Sequence, residues 1–369
     1  MQTALTDSAP VTAPGSATEL LYDLRQYADL DNLPRAAAEP GLRGRIRASN
    51  STFKVIEELG FEPTGQGEHV YVRLRKSGHN TRWLAKRLAE YLALDYRAVS
   101  HAGLKDRHAQ TEQWFSLHMP GKGEPDWQSF AIDGVEILEV SRHETKLRPG
   151  QLLGNRFVLQ LRDVEGDPAE LDANIDRVRR QGVPNYFGAQ RFGRAAANLE
   201  ILMNAGDGQK IGREAKAFGL SALRAALFNG YLAQRIKLNT WDSLLDGERP
   251  WQERNSDSGF SRYLTAAGKS YAGPAGLLWG TGKRRNSGFA VKFEDGFYDR
   301  FTAVTGLLEQ YGAQLRMRPL VAHVANLDFA YNNGVLELRF MLGAGSYATV
   351  VLRELLRFQD SQNPDALTH

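Results

Sequence analysis

Cysteine is absent from this 369-residue chain. Its absence excludes disulfides, thiolate zinc sites, iron–sulfur clusters and cysteine nucleophiles. Charge of one sign is not in large excess either: 46 Lys and Arg stand against 43 Asp and Glu, a formal +3. The balance alone does not announce a nucleic-acid binder, so the placement of charge has to carry that argument. No stretch approaches 18 consecutive apolar residues, and no membrane-spanning helix is expected. The opening MQTALTDSAPVTAPGSATELL lacks a basic segment followed by an apolar one, so it does not read as a secretory signal. The cofactor motifs are missing as well. There is no HExxH, no GxSxG, and no GxGxxG after a strand. Gly282-Lys283 looks like the end of a phosphate loop, but Leu277 occupies the first glycine position and Arg284 replaces Ser or Thr. Neither a metal nor a nucleotide or redox cofactor is indicated.

The length favours two domains. Residues 1–40 begin with an Ala-, Pro-, Ser- and Thr-rich stretch and read as a mobile tail. From Gly44 to Arg162 the pattern is mixed strand and helix. Phe53–Glu57 is a strand candidate, and His69–Arg75 alternates with Val70, Val72 and Leu74 on one face. Asn80 caps a helix carrying Leu84, Leu88 and Leu92. A second helix has Asp167 at its N-cap, Pro168 at its first position, Glu170 completing a capping box and Gly182 as the C-terminal cap. The middle is helix-rich, clearest over Leu220–Leu232, and Trp241–Gly288 reads as loops. Sheet returns at Leu327–Phe340 as a hairpin around Asn333-Gly334, followed by a final helix with Val351, Leu352 and Leu355. Sheet-rich ends around a helix-rich middle predict a discontinuous α+β domain with a second domain inserted.

Between His69 and Ala89 there is no acid, but there are Arg73, Arg75, Lys76, Arg82, Lys86 and Arg87. This one-signed stretch suits phosphate contacts. Lys283-Arg284-Arg285 suits a grip on a second part of a polyanion. Aromatic residues stand beside basic ones at Phe53-Lys54 and Arg339-Phe340, as in proteins that hold unstacked bases. The ordinary reading of each ring is a core residue. In HAGLKDRHAQTEQ, Asp106 stands between Lys105 and Arg107, which favour its ionised form. Asp106 can be a nucleophile or a turn residue capping a backbone amide, and the residues alone leave both open.

Three segments in this order, AGLKDRHAQTEQWF (Ala102–Phe115), NYFGAQRFGR (Asn185–Arg194) and RFMLGAGSYATVVLREL (Arg339–Leu355), resemble the TruD family of tRNA pseudouridine synthases. FEPTGQGEHVYVRLRKSGHNTRW, KLRPGQLLGNRFVLQL and ALRAALFN extend the likeness, which runs from Ile46 to Phe358. The resemblance implies conversion of uridine to pseudouridine in tRNA at the position named 13. The N1–C1′ bond breaks, the uracil turns, and a C5–C1′ bond forms. The leaving base is also the incoming nucleophile, so no cofactor is implied. The family's catalytic aspartate falls on Asp106, with Lys105 and Arg47 as supporting basic residues. Arg47 stands where the family commonly has Lys. Phe53, Phe340 and Phe157 match the pocket aromatics, and Asn155 the residue that reads the uracil edge. The implied fold is a mostly antiparallel sheet catalytic domain, residues 41–181 and 319–369, with an α/β TRUD domain inserted over 182–318. The implied partner is tRNA, with no membrane or metal, in the cytoplasm, and a monomer is the default. An RNA-binding protein without catalysis and a carboxylate-driven nucleosidase are the competing readings.

Overall fold

The computed structural model describes residues 17–205, 210–251, 259–266 and 272–362. In chain order its elements begin with α1 (Ala17–Ala28), β1 (Arg43–Ile46), β2 (Phe53–Glu58), β3 (His69–Ser77), α2 (Thr81–Tyr91), β4 (Val99–His101), β5 (Gln110–His118), β6 (Val135–His143), β7 (Gly154–Glu165) and α3 (Pro168–Gln181). Next come β8 (Val183–Pro184), α4 (Glu200–Met203), α5 (Arg213–Lys237), α6 (Gly259–Ala266), β9 (Ala275–Leu278), α7 (Gly288–Tyr298), α8 (Thr302–Gln310) and β10 (Arg316–Pro319). The chain closes with β11 (Val321–Ala322), β12 (Val324–Asn332), β13 (Val335–Leu342), α9 (Ala348–Leu355) and β14 (Arg357–Asp360).

The described residues divide into two compact units, one drawn from Met1–Ala36, Pro184–Gln252 and Ala272–Val321, the other from Ala37–Val183, Glu253–Tyr271 and Ala322–His369. The second unit holds a ten-stranded sheet in the order β12-β13-β7-β2-β5-β3-β6, with β1 against β7 and β14, and β4 against β5. Its pairings are antiparallel except β1 with β14 and β2 with β5. The fold is therefore the expected mixed α+β with a mostly antiparallel sheet.

Local chemistry explains the elements. Strand β2 alternates buried and half-buried residues, as a strand with one covered face does. Asn333 and Gly334 both adopt positive φ, 50° and 73°, the geometry that a tight hairpin between β12 and β13 requires. The Asn80 side chain accepts from the Trp83 N–H to start α2, and Leu84, Ala85 and Leu88 then pack with Val70, Val72 and Leu74 of β3 and with Phe115 and Leu117 of β5. Asp167 caps α3 by accepting from the Ala169 N–H, and Gly182 ends it with φ 78°. Glu170 does not complete the expected capping box. Its carboxylate accepts instead from the Gly41 N–H at 2.8 Å.

Three further expectations change. The tail predicted for residues 1–40 is structured from Ala17 onward. Leu20, Leu24 and Ala28 form the buried stripe of α1, which packs against α5. The predicted tail residues 1–16 lie outside the described residues. The stretch read as loops after Trp241 contains α6 and β9. These elements are too short for their periodicity to register, yet Phe260 and Leu264 of α6 are buried with Ala325 and Met341 of the sheet unit. Residues 259–266 thus go with the sheet, inside the span expected for the insertion. The basic strand face is also not open to phosphate. Arg73 and Arg75 meet Glu112 at 2.6 and 3.0 Å, and Arg75 meets Glu136 at 2.7 Å. These acids lie on the flanking strands β5 and β6 at or near the opposite register positions. Cation and carboxylate far apart in sequence become cross-strand neighbours. Arg284 similarly meets Asp295 at 2.5 Å.

Candidate active site

Asp106 lies in the loop that joins β4 to β5. The turn reading is met in the structure, and the second carboxylate oxygen has a partner of its own. Its Oδ1 accepts from the His108 N–H at 3.0 Å, the two-residue turn that Asp favours. Its Oδ2 faces the guanidinium of Arg47 at 3.2 Å. Arg47 follows the last residue of β1 with φ 54°, a left-handed conformation unusual for a side chain of this size. That turn brings a long cation back over the sheet. Its guanidinium carbon stands 4.1 Å from the centre of the Phe53 ring, and its other nitrogen pairs with Asp360 of β14. Arg47 is only 5% exposed. One buried guanidinium therefore joins two carboxylates and one aromatic face.

The remaining expected residues share a sheet face with this group. Register places Phe340 opposite Phe157, and Phe157 opposite Val55. Asn155 lies opposite Glu57 and Leu342, and Phe53 opposite Leu159. Residues directly opposite, or two apart along one strand, fall on one face. Phe157 and Phe340 stack with centroids 5.2 Å apart. Asn155 keeps a buried Oδ1 with no hydrogen-bond partner among the described residues. An unpaired buried acceptor is costly, which marks it as a place for a donor to arrive. The approach of β7 to β13 depends on Gly154, where a Cβ would stand 2.4 Å from the Leu342 carbonyl oxygen.

Lys105, expected as a supporting basic residue, has a partner of its own. It does not pair with Asp106. Its ammonium pairs with Glu57 of β2, and both side chains are almost fully buried. Glu57 also accepts from the Trp114 N–H at 3.1 Å. Lys105 supports the site by anchoring its loop. Other buried polar groups do the same. The Gln113 amide donates to the Gly103 carbonyl at 2.6 Å, and the Thr81 hydroxyl accepts from the Lys105 N–H at 2.9 Å. His101 is partly buried beside this loop. Burial holds its imidazole below the usual range, and Lys105 adds to the effect, so it is neutral near pH 7. Sequence reasoning missed Glu57, Asp360 and Gln113, because their roles exist only through partners distant in sequence. Among the described residues, no group of three or more His, Asp or Glu side chains assembles in a way that suits a metal ion. Nor, among them, is any helix long and apolar enough to cross a membrane.

The Lys105–Glu57 pair yields a stability prediction. Glu57→Gln leaves a buried ammonium without its counter-charge, at an expected cost of about 3 kcal/mol. Urea denaturation checks this, and a change below about 1 kcal/mol would contradict the anchoring role.

The family described as tRNA pseudouridine synthase D (TruD) matches residues 30–203 and 209–355. A tRNA pseudouridine synthase D of Methylococcus capsulatus is 40% identical over 346 residues, covering 91% of this chain and 97% of the relative. A protein of the same name from Aeromonas salmonicida is 39% identical over 341 residues, covering 90% and 96%. The crystal structure described as tRNA pseudouridine synthase D from Methanosarcina mazei has a TM-score of 0.64 at 21% identity, covering 88% of this chain and 95% of that one, and supports the fold. With matches spanning nearly its whole length, this chain belongs to the TruD family of tRNA pseudouridine synthases.

Proposed function

We propose that this protein isomerises uridine to pseudouridine in tRNA, at the nucleotide numbered 13, with Asp106 as the catalytic carboxylate. The observation that carries the reading is the pairing of the partly exposed Asp106 with buried Arg47 over Phe53. A carboxylate so held is fixed in direction and, at 21% side-chain exposure, still reaches the surface. Whether it attacks C1′ or C6 or takes the C2′ proton, it acts as an anion. The overall change breaks N1–C1′, forms C5–C1′, and exchanges the C5 hydrogen for one on N1. The base both leaves and returns, so the residues serve to hold it and to exclude water. The unpaired Asn155 acceptor suits the N3–H of uracil. The stacked Phe157–Phe340 pair supplies an apolar wall, and Phe53 seats Arg47. Unstacking the uridine costs a few kcal/mol, which contacts to the tRNA backbone offset. Exposed cations such as Arg107 suit such contacts. A tRNA substrate agrees with a cytoplasmic protein.

The test is purified protein with unmodified tRNA transcript, no added metal, and carbodiimide mapping of the product. A new pseudouridine at position 13 is expected. An unchanged tRNA would contradict the reading, release of free uracil would point to a nucleosidase, and a product at another position would overturn the assignment of nucleotide 13.

A further inference from the structure

Lys76 is the penultimate residue of β3 and is only 1% exposed. Its ammonium donates to the carbonyl of His79 at 2.7 Å and to the carbonyl of Asp106 at 3.1 Å. Among the described residues no carboxylate forms an ion pair with it. One residue beyond Ser77, the Gly78 N–H donates to the Arg107 carbonyl at 3.1 Å. The end of β3 thus grips two successive carbonyls of the loop, those of Asp106 and Arg107. With this stretch of backbone fixed, the Asp106 side chain is directed to Arg47. A buried ammonium bonded only to carbonyls is a poor stabilising device, because its desolvation lacks a counter-charge in direct contact. Its presence there calls for another task.

We propose that Lys76 is a positioning residue, whose charged ammonium clamps the backbone of the Asp106 loop and holds the carboxylate in its reactive direction. The inference rests on the assignment of Asp106 as the catalytic carboxylate. Burial lowers the Lys76 pKa to about 8, against a smaller opposing effect of Asp106 and a further lowering by Lys105. The other neighbours add no charge. Register places Thr111 of β5 and Val135 of β6 opposite Lys76, and the His79 ring is turned to the Asp133 carbonyl at 2.8 Å. Folding disfavours the protonated form, so that cost is fully present below pH 8 and fades towards the ordinary lysine value of 10.5. In the folded protein the clamp itself loses its charge as pH rises through about 8.

Single-turnover rates on tRNA across pH, with tRNA affinity measured separately, test the proposal. The wild-type rate should fall above about pH 8, where Lys76 loses its charge. In K76R, whose guanidinium stays charged, the fall should move to higher pH. K76M should lose about tenfold or more in rate with affinity within about twofold. An alkaline fall at the same pH in K76R and wild type, or a K76M rate equal to wild type, would overturn the proposal. Hydrogen exchange gives an answer independent of activity. K76M should exchange faster at the amides of residues 105–108, with β3 and β5 still protected, whereas unchanged exchange in the loop overturns the clamp. If wild-type protein forms no pseudouridine, the reaction assignment falls, and the exchange result still decides the clamp.

Discussion

Asp106→Asn is expected to lower the single-turnover rate by about ten-thousandfold, the scale on which enzymes lose a central catalytic group. Affinity for tRNA should stay within about tenfold, or about 1.4 kcal/mol. The substitution separates the two roles of this residue. Asn retains an oxygen that can accept from the His108 N–H, so the turn persists. Arg47 retains Asp360, so its guanidinium is not left without a counter-charge. What disappears is the anion on the side of Asp106 that faces Arg47. A variant that binds tRNA and turns over within about tenfold of wild type would remove Asp106 from the chemistry. A variant that loses binding and rate together would assign it to recognition.

Arg47→Met should produce the second large effect. Removing the guanidinium takes from Asp106 and Asp360 the buried charge they share, and Phe53 loses its cation. Breaking a buried pair by deleting one partner costs about 3–5 kcal/mol. The rate should fall by about a hundredfold or more, because a misdirected carboxylate forfeits much of the advantage of orientation. Arg47→Lys should recover most of the stability and part of the rate. It restores the charge, but an ammonium cannot reproduce the planar fork that spans both acids. Urea denaturation and single-turnover kinetics on both variants check this. A methionine variant within about threefold of wild type in rate would show that the Arg47 pairing is incidental.

The parts of this fold legible in the sequence are those set by neighbours along the chain. Asn80, Asp167 and Gly182 act as caps because capping is a contact over two to four residues. Asn333-Gly334 makes the hairpin for a similar reason. What the sequence hid depends on residues far apart in it. Arg73 and Arg75 read as an open basic face until β5 and β6 bring Glu112 and Glu136 beside them. Glu170 reads as a box residue until Gly41 offers a nearer donor. Lys105 reads as a support for the Asp106 anion because it is adjacent, and its pairing with Glu57 arises only from the fold. Nothing local distinguishes Lys76 from its basic neighbours, since its burial and its bond to the Asp106 carbonyl both arise from tertiary packing. The Asp106 loop stood out through its motif, whereas Asp360, the second acid on Arg47, had no local signal.

Bond formation at C5 must expel the C5 hydrogen, so its release reports the rearrangement itself. The most direct measurement is tritium release from tRNA labelled at uridine C5, comparing the wild type with Asp106→Asn at saturating protein. The account predicts release matching the amount of target uridine with the wild type and none above background with the variant. Release by the variant at the wild-type rate would contradict it.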